Sequence, residues 1–234
     1  MRGFAESLRQ CAQKGRIPVI PDFKLISPSE GPLLREADAY RAAEAMEKTG
    51  APALSVVTEK EHFGGSMELL TRIAGIVGLP VLRKDFIRER ADVEESARCG
   101  AKAVLLICAC MGEEKLRELY DAALQCGLEP LVEVHTREEL RLAAELRAGL
   151  VGINNRDILT LEQDGGTVET TKRLAAAKPD GAFLISESGI QGTGDVRIAR
   201  QSGADAVLVG TAIWKAANPL LFYESLSRAG GDRL

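Results

Sequence analysis

Along the chain, short aliphatic runs rich in β-branched residues alternate with longer segments whose apolar residues recur at three- and four-residue spacing. Eight runs stand out: Pro18 to Phe23, Ala53 to Val57, Pro80 to Leu82, Ala103 to Ile107, Pro130 to Val134, Leu150 to Ile153, Ala182 to Ile185 and Ala206 to Val209. Their starts lie about 20 to 35 residues apart, the length of a strand with its crossover helix. The segments between them, such as "READAYRAAEAMEKTG", "ADVEESARCG", "EEKLRELYDAALQCG" and "REELRLAAELRAG", have the helical period. Each ends at a glycine suited to a left-handed helix cap, and Gly50, Gly100, Gly149 and Gly203 stand just before a run.

Strands that are nearly continuous apolar runs are expected where helices cover both faces of a parallel sheet. Eight such units in 234 residues predict an α/β fold, a single (β/α)8 TIM barrel domain over residues 1–234. A doubly wound open sheet is the lesser alternative. No linker or low-complexity segment divides the chain, and residues 1–17 read as a short N-terminal helix capping the bottom of the first strand.

Composition narrows the partners. A formal charge of −4 and a pI near 5.5 give no broad basic field for nucleic acid or an acidic membrane, so any anion must be held locally. No apolar stretch approaches the roughly 20 residues of a membrane span, and the amino terminus lacks a signal-peptide core, which predicts a cytoplasmic protein. Five cysteines, Cys11, Cys99, Cys108, Cys110 and Cys126, fit buried free thiols better than a disulfide framework. Cys108 and Cys110 would face the same way if their strand continued, yet no nearby Cys or His completes a metal site. His62 and His135 read as polar loop or strand-end residues.

In such a barrel the chemistry sits where the strands finish. Those ends supply Asp22 and Lys24, Arg83-Lys84-Asp85, Glu133, Asn154-Asn155-Arg156-Asp157, Ser186-Glu187-Ser188-Gly189, and Gly210-Thr211. Glu133 alternates away from Val132 and Val134 and, buried, must meet a cation or a substrate; Lys24 and Lys84 are at hand. A structural charge network would use the same three residues. Backbone N–H groups of Gly189, Gly210 and Thr211 can converge on an anion, and a phosphate between strands seven and eight recurs in this barrel. Tight turns also need glycine for steric reasons alone.

The stretches "SPSEG", "ALSVVTEKEHFGGS", "LPVLRKDFI", "GAKAVLLI", "LVEVHTREEL", "VGINNRDILTLEQD", "ISESGI" and "ADAVLVGTAI", in that order, resemble the indole-3-glycerol phosphate synthase family of tryptophan biosynthesis. The resemblance implies a lyase that decarboxylates and dehydrates 1-(2-carboxyphenylamino)-1-deoxyribulose 5-phosphate while closing the indole ring, without cofactor or metal. By position, it implies Lys84 as the general acid at the ketone oxygen and Glu133 as the carboxylate for later proton transfers. Lys24 would pair with the substrate carboxylate or phosphate, Asn154 would orient the reacting groups, and Asp22 would complete the catalytic set. Ser27, Arg156, Glu187 and Ser188 would bind substrate, and Gly189, Gly210 and Thr211 the phosphate. The implied partners are a phosphorylated small molecule and other tryptophan-pathway enzymes, with the chain a monomer or weak homo-oligomer.

Two departures stand out. The family normally has Glu where this chain has Asp22, a carboxylate one methylene shorter in reach. Members also usually begin some tens of residues earlier, with a helix and loop that close over the substrate, whereas here the matching "RGFAESL" starts at Met1. Both touch substrate recognition, so a diverged paralogue acting on another phosphorylated substrate is the alternative. A non-catalytic subunit binding a phosphorylated ligand is a third reading, against which the retained Lys-Glu set argues.

Overall fold

The computed structural model describes residues 3–161 and 163–229. Eight parallel strands form a closed barrel: β1 (Val19–Phe23), β2 (Leu54–Val57), β3 (Val81–Lys84), β4 (Ala103–Ile107), β5 (Glu129–Val134), β6 (Leu150–Asn154), β7 (Phe183–Glu187) and β8 (Ala206–Val209). Each pairs with the next in sequence, and β8 returns to β1 through Val19 with Val207, Ile20 with Leu208 and Pro21 with Val209. Every predicted run is a strand. β3, β6 and β7 run beyond their expected ends and take Lys84, Asn154 and Glu187 into the sheet.

Side chains of successive strand residues point to opposite faces, so each strand serves two cores. Val19, Val56, Val81, Val104, Val132, Val151, Leu184 and Val207 pack outward under the helices. Ile20, Leu82, Leu105, Leu131, Leu150, Ile185 and Leu208 fill the lower barrel interior together with Phe4 and Leu8 of helix α1 (Phe4–Gln13). That helix does more than cap the first strand. Its first N–H groups, on Phe4 and Ala5, donate to the Glu129 carboxylate at the start of β5, and Ser7 donates to the Pro52 carbonyl before β2. It therefore plugs the barrel floor across several strands.

Gly50, Gly100 and Gly203 take the left-handed conformation, with φ of 91°, 90° and 108°. Gly149 does not. After the helix Arg137–Glu145 the left-handed residue is Arg147, at φ 53°, and Ala148 N–H closes the turn on the Ala143 carbonyl at 3.0 Å. The cysteine expectation also needs correcting. β4 ends at Ile107 and the chain turns through a short 3-10 helix, Cys108–Cys110, which leaves Cys108 buried and Cys110 exposed rather than side by side. All five thiols are free, but Cys11, Cys99 and Cys126 are only half-buried.

Candidate functional site

Above the apolar floor, the same inward face of the strands turns polar. Asp22 on β1, Ser55 on β2, Lys84 on β3, Glu133 on β5, Asn154 on β6 and Glu187 on β7 keep the alternation that buries Ile20, Leu82, Leu131, Leu150 and Ile185 below them. Lys24 follows directly after β1, 6% exposed, with its ammonium 5.6 Å from the centre of the Phe63 ring. Glu133 and Glu187 are fully buried. Carboxylates and lysines at such depth need mutual pairing or a ligand, because desolvating a lone charge is costly.

The cleft over this layer has two lobes that share Asp22, Lys24 and Lys84. One is lined by Arg156, Ser188, Gly189, Gly210 and Thr211, which give it its polar side, and by Ile190, Leu208 and Val209. The other is lined by Phe63, Phe86, Leu105, Ile107 and Ile158. Asn154, Glu133 and Glu187 lie beneath, inside the barrel. Ser27 is not among the residues lining either lobe. It sits in a two-strand hairpin, Ile26–Ser27 with Gly31–Pro32, its hydroxyl 3.3 Å from that of Ser29.

Neighbouring residues on the outward face hold this layer in place, and sequence reasoning gave them no role. Arg83 is buried between β3 and the helix Arg90–Arg98. It donates to Thr58 Oγ1 at 3.0 Å, the Asp92 carbonyl at 2.9 Å, Ser96 Oγ at 3.1 Å and Asp85 Oδ2 at 3.1 Å. Lys84 is thus fixed through its neighbour. Asn155 plays the same part between β6 and β7, donating to Ser186 Oγ and to the Glu187 and Ser188 carbonyls at 2.9–3.0 Å, while its own oxygen accepts from Thr171. The signal was present in sequence as a second polar residue beside each inward one.

Asn155 secures a strained turn. Ser188 has φ 60° and Gly189 φ 71°, two successive left-handed residues. A Cβ on Gly189 would lie 2.8 Å from the Gly166 carbonyl oxygen, so glycine is required twice over there. Gly152, on β6, is a second case: a Cβ would fall 1.9 Å from Glu187 Oε1, which shows that the Glu187 side chain lies directly over that bare backbone. Asp22 is fixed on two sides. Ser55 Oγ donates to its Oδ1 at 2.6 Å, and Trp214 Nε1 donates to its main-chain carbonyl at 2.6 Å.

His135 follows β5 directly. Its Nε2 is 3.7 Å from Glu133 Oε1 and its Nδ1 3.7 Å from Glu139 Oε2. Burial pulls the imidazole pKa down, but Glu139, Glu133 and Asp157 together outweigh it, and the group ends above its ordinary value. Burial pushes the nearby Cys108 thiol up to about 12, with Glu139 and Glu133 adding to the effect, so it stays a neutral packing group. His62 is on the loop after β2, 3.1 Å from Glu59. Glu59, Glu61 and His62 hold ligand atoms within 4.8 Å of one another. Glu59 already accepts the N–H groups of Glu61, His62 and Phe63, as a turn-forming carboxylate does.

A family model described as indole-3-glycerol phosphate synthase matches residues 1–226. An indole-3-glycerol phosphate synthase of Pyrococcus furiosus is 42% identical over 217 residues, 93% of each chain. One of Thermococcus kodakarensis is 42% identical over 224 residues, 96% of each. A protein of Archaeoglobus fulgidus named tryptophan biosynthesis protein TrpCD is 41% identical over 232 residues, which are 99% of this chain and 41% of that one.

Proposed function

The chain belongs to the indole-3-glycerol phosphate synthase family, and from that premise we propose how its cleft closes an indole ring. The reaction converts 1-(2-carboxyphenylamino)-1-deoxyribulose 5-phosphate into indole-3-glycerol phosphate, with loss of carbon dioxide and water. One observation carries the assignment of parts: a polar lobe and an aromatic lobe meet at two lysines and an aspartate.

The substrate has the same division. Its phosphate belongs with Arg156, Ser188, Gly189, Gly210 and Thr211, with Ser27 on the hairpin beside them. Its aryl ring belongs between Phe63 and Phe86, over Leu105, Ile107 and Ile158. The ketone then lies at the junction, where Lys84 gives its proton to the ketone oxygen as the ring carbon attacks. Holding the two reacting carbons in one cleft removes much of the entropic barrier to that step. Lys24, facing Phe63, pairs with the substrate carboxylate. Once carbon dioxide has left, Glu133 gives its proton to the departing hydroxyl and the neutral Lys84 amine takes one from the ring methylene, while Asn154, Asp22 and Glu187 orient the reacting groups from below.

Purified protein given this substrate should produce the indole fluorescence of the product, and absence of turnover at high enzyme concentration overturns the reading. Lys84→Ala and Glu133→Gln should each lower kcat by about 10²- to 10⁴-fold, the usual contribution of a positioned acid or base. We further propose contact with other tryptophan-pathway enzymes. Its support is the Archaeoglobus fulgidus relative, of which a chain like this one forms only a part.

A further inference from the structure

The proposed reaction has an unbalanced proton. The substrate carboxylate leaves as neutral carbon dioxide. Two protons are added, one from Lys84 to the ketone oxygen and one from Glu133 to the departing hydroxyl, and the one lost from the ring methylene as the indole forms restores Lys84, which leaves Glu133 one proton short. Each turnover therefore takes one proton from solvent. Glu133 is fully buried, and a substrate filling the cleft above it closes the direct route.

His135 offers another route. It stands one step above Glu133 on the same face of the chain, and its side chain is 16% exposed while that of Glu133 is 0% exposed. Glu139, on its far side, is immobilised at the start of its helix by the N–H groups of His135 and Thr136. The imidazole thus stands between a fully buried carboxylate and one nearer the surface, 3.7 Å from each. Both ring nitrogens lie below the surface and neither makes a hydrogen bond among the described residues, so the imidazole can turn outward without breaking one. Gaps of this size in an unliganded site commonly tighten when substrate binds.

We infer that His135 is the proton inlet of this site, resupplying Glu133 from solvent on each turnover. The imidazolium gives its Nε2 proton to a Glu133 oxygen: the N–H bond breaks and an O–H bond forms. The neutral ring then turns outward, takes a proton from water or buffer on the bared nitrogen, and returns. The charged groups facing the ring are Glu133 on β5, Glu139 on the following helix and Asp157 after β6. All three are acidic, which favours a ring protonated near neutral pH, where a shuttle must work.

This inference rests on the activity proposed above, and the test separates the two. Product formation by the unaltered protein tests the activity. For the inlet, kcat and KM are measured for His135→Ala at fixed pH and rising imidazole concentration, with circular dichroism confirming the fold. The expected result is a fall in kcat of about 10²-fold with little change in KM, and a saturable recovery when imidazole fills the space. A variant with unaltered kcat overturns the inlet. So does a fall that imidazole does not restore, which would mark His135 as structural only.

Discussion

The lower and upper halves of the barrel interior are built from the same strands on the same face, two residues apart. Ile20, Leu82, Leu131 and Ile185 lie below, and Asp22, Lys84, Glu133 and Glu187 lie above. A step of two residues, about 6–7 Å along a strand, changes what a position is for. Below, apolar burial and the inserted Phe4 and Leu8 hold the barrel together. Above, buried charges cost desolvation and are tolerated because the floor and the outer layer supply the stability. β4 and β8 place no polar side chain on the inward face, and β4 shapes the site. Its inward face stays apolar to the top, and Leu105 and Ile107 become a wall of the lobe that Phe63 and Phe86 also line.

If the division is real, changes on the floor should alter melting and changes on the rim should alter rate. Leu8→Ala should cost about 2–5 kcal/mol, seen as a drop in Tm of roughly 2–4 °C for each kcal/mol, with kcat of the folded protein unchanged. Gly152→Ala should do the reverse. The new methyl meets Glu187 Oε1, the carboxylate has to move by about 1 Å, and kcat falls by about 10²-fold while Tm moves far less. Equal effects on both quantities in either variant would blur the division. Arg147→Gly, in a turn feeding β6 from below, should relieve the left-handed strain and raise stability by about 1 kcal/mol with no change in rate.

The smallest effect is the most specific. Burial raises the Glu139 carboxyl pKa, but His135 and the N–H groups it accepts outweigh that, and it sits below its ordinary 4.5. Its contribution to stability is present above that value and lost as pH falls through the lowered one. The contribution of His135, raised above its ordinary 6.5, is present below 6.5 and lost as pH climbs through the raised value. The pair therefore stabilises most between pH 4.5 and 6.5. Tm profiles of the unaltered protein and His135→Asn should differ there and converge in alkali.

The fold was legible because apolar runs and helical segments alternate eight times, a rhythm few architectures share. The inward charges were legible because strand ends are where this barrel works. What stayed hidden was direction. In "LRKD", Arg83 and Lys84 are adjacent cations, and only the packing of Leu82 inside and Val81 outside decides which of them faces the cleft. Gly152 was invisible for another reason. Its missing side chain matters only because Glu187, from the next strand, lies over it. Gly149 was misjudged because a glycine two residues past the actual turn is just as near the strand. Cys108 and Cys110 were misjudged because nothing in "ICACMG" shows that the strand stops at Ile107.

The seam between β8 and β1 has a consequence for the order in which the molecule comes into being. Trp214 reaches the Asp22 carbonyl across 192 residues of sequence, and Tyr223 reaches the Val19 carbonyl across 204. During synthesis, both lysines, Glu133 and Glu187 emerge well before Gly210 and Thr211. Until the last strand docks beside the first, Asp22 lacks its tryptophan and the polar lobe lacks a wall. A nascent chain with seven of its strands made therefore carries most of the inward charges while one lobe of the cleft still stands open.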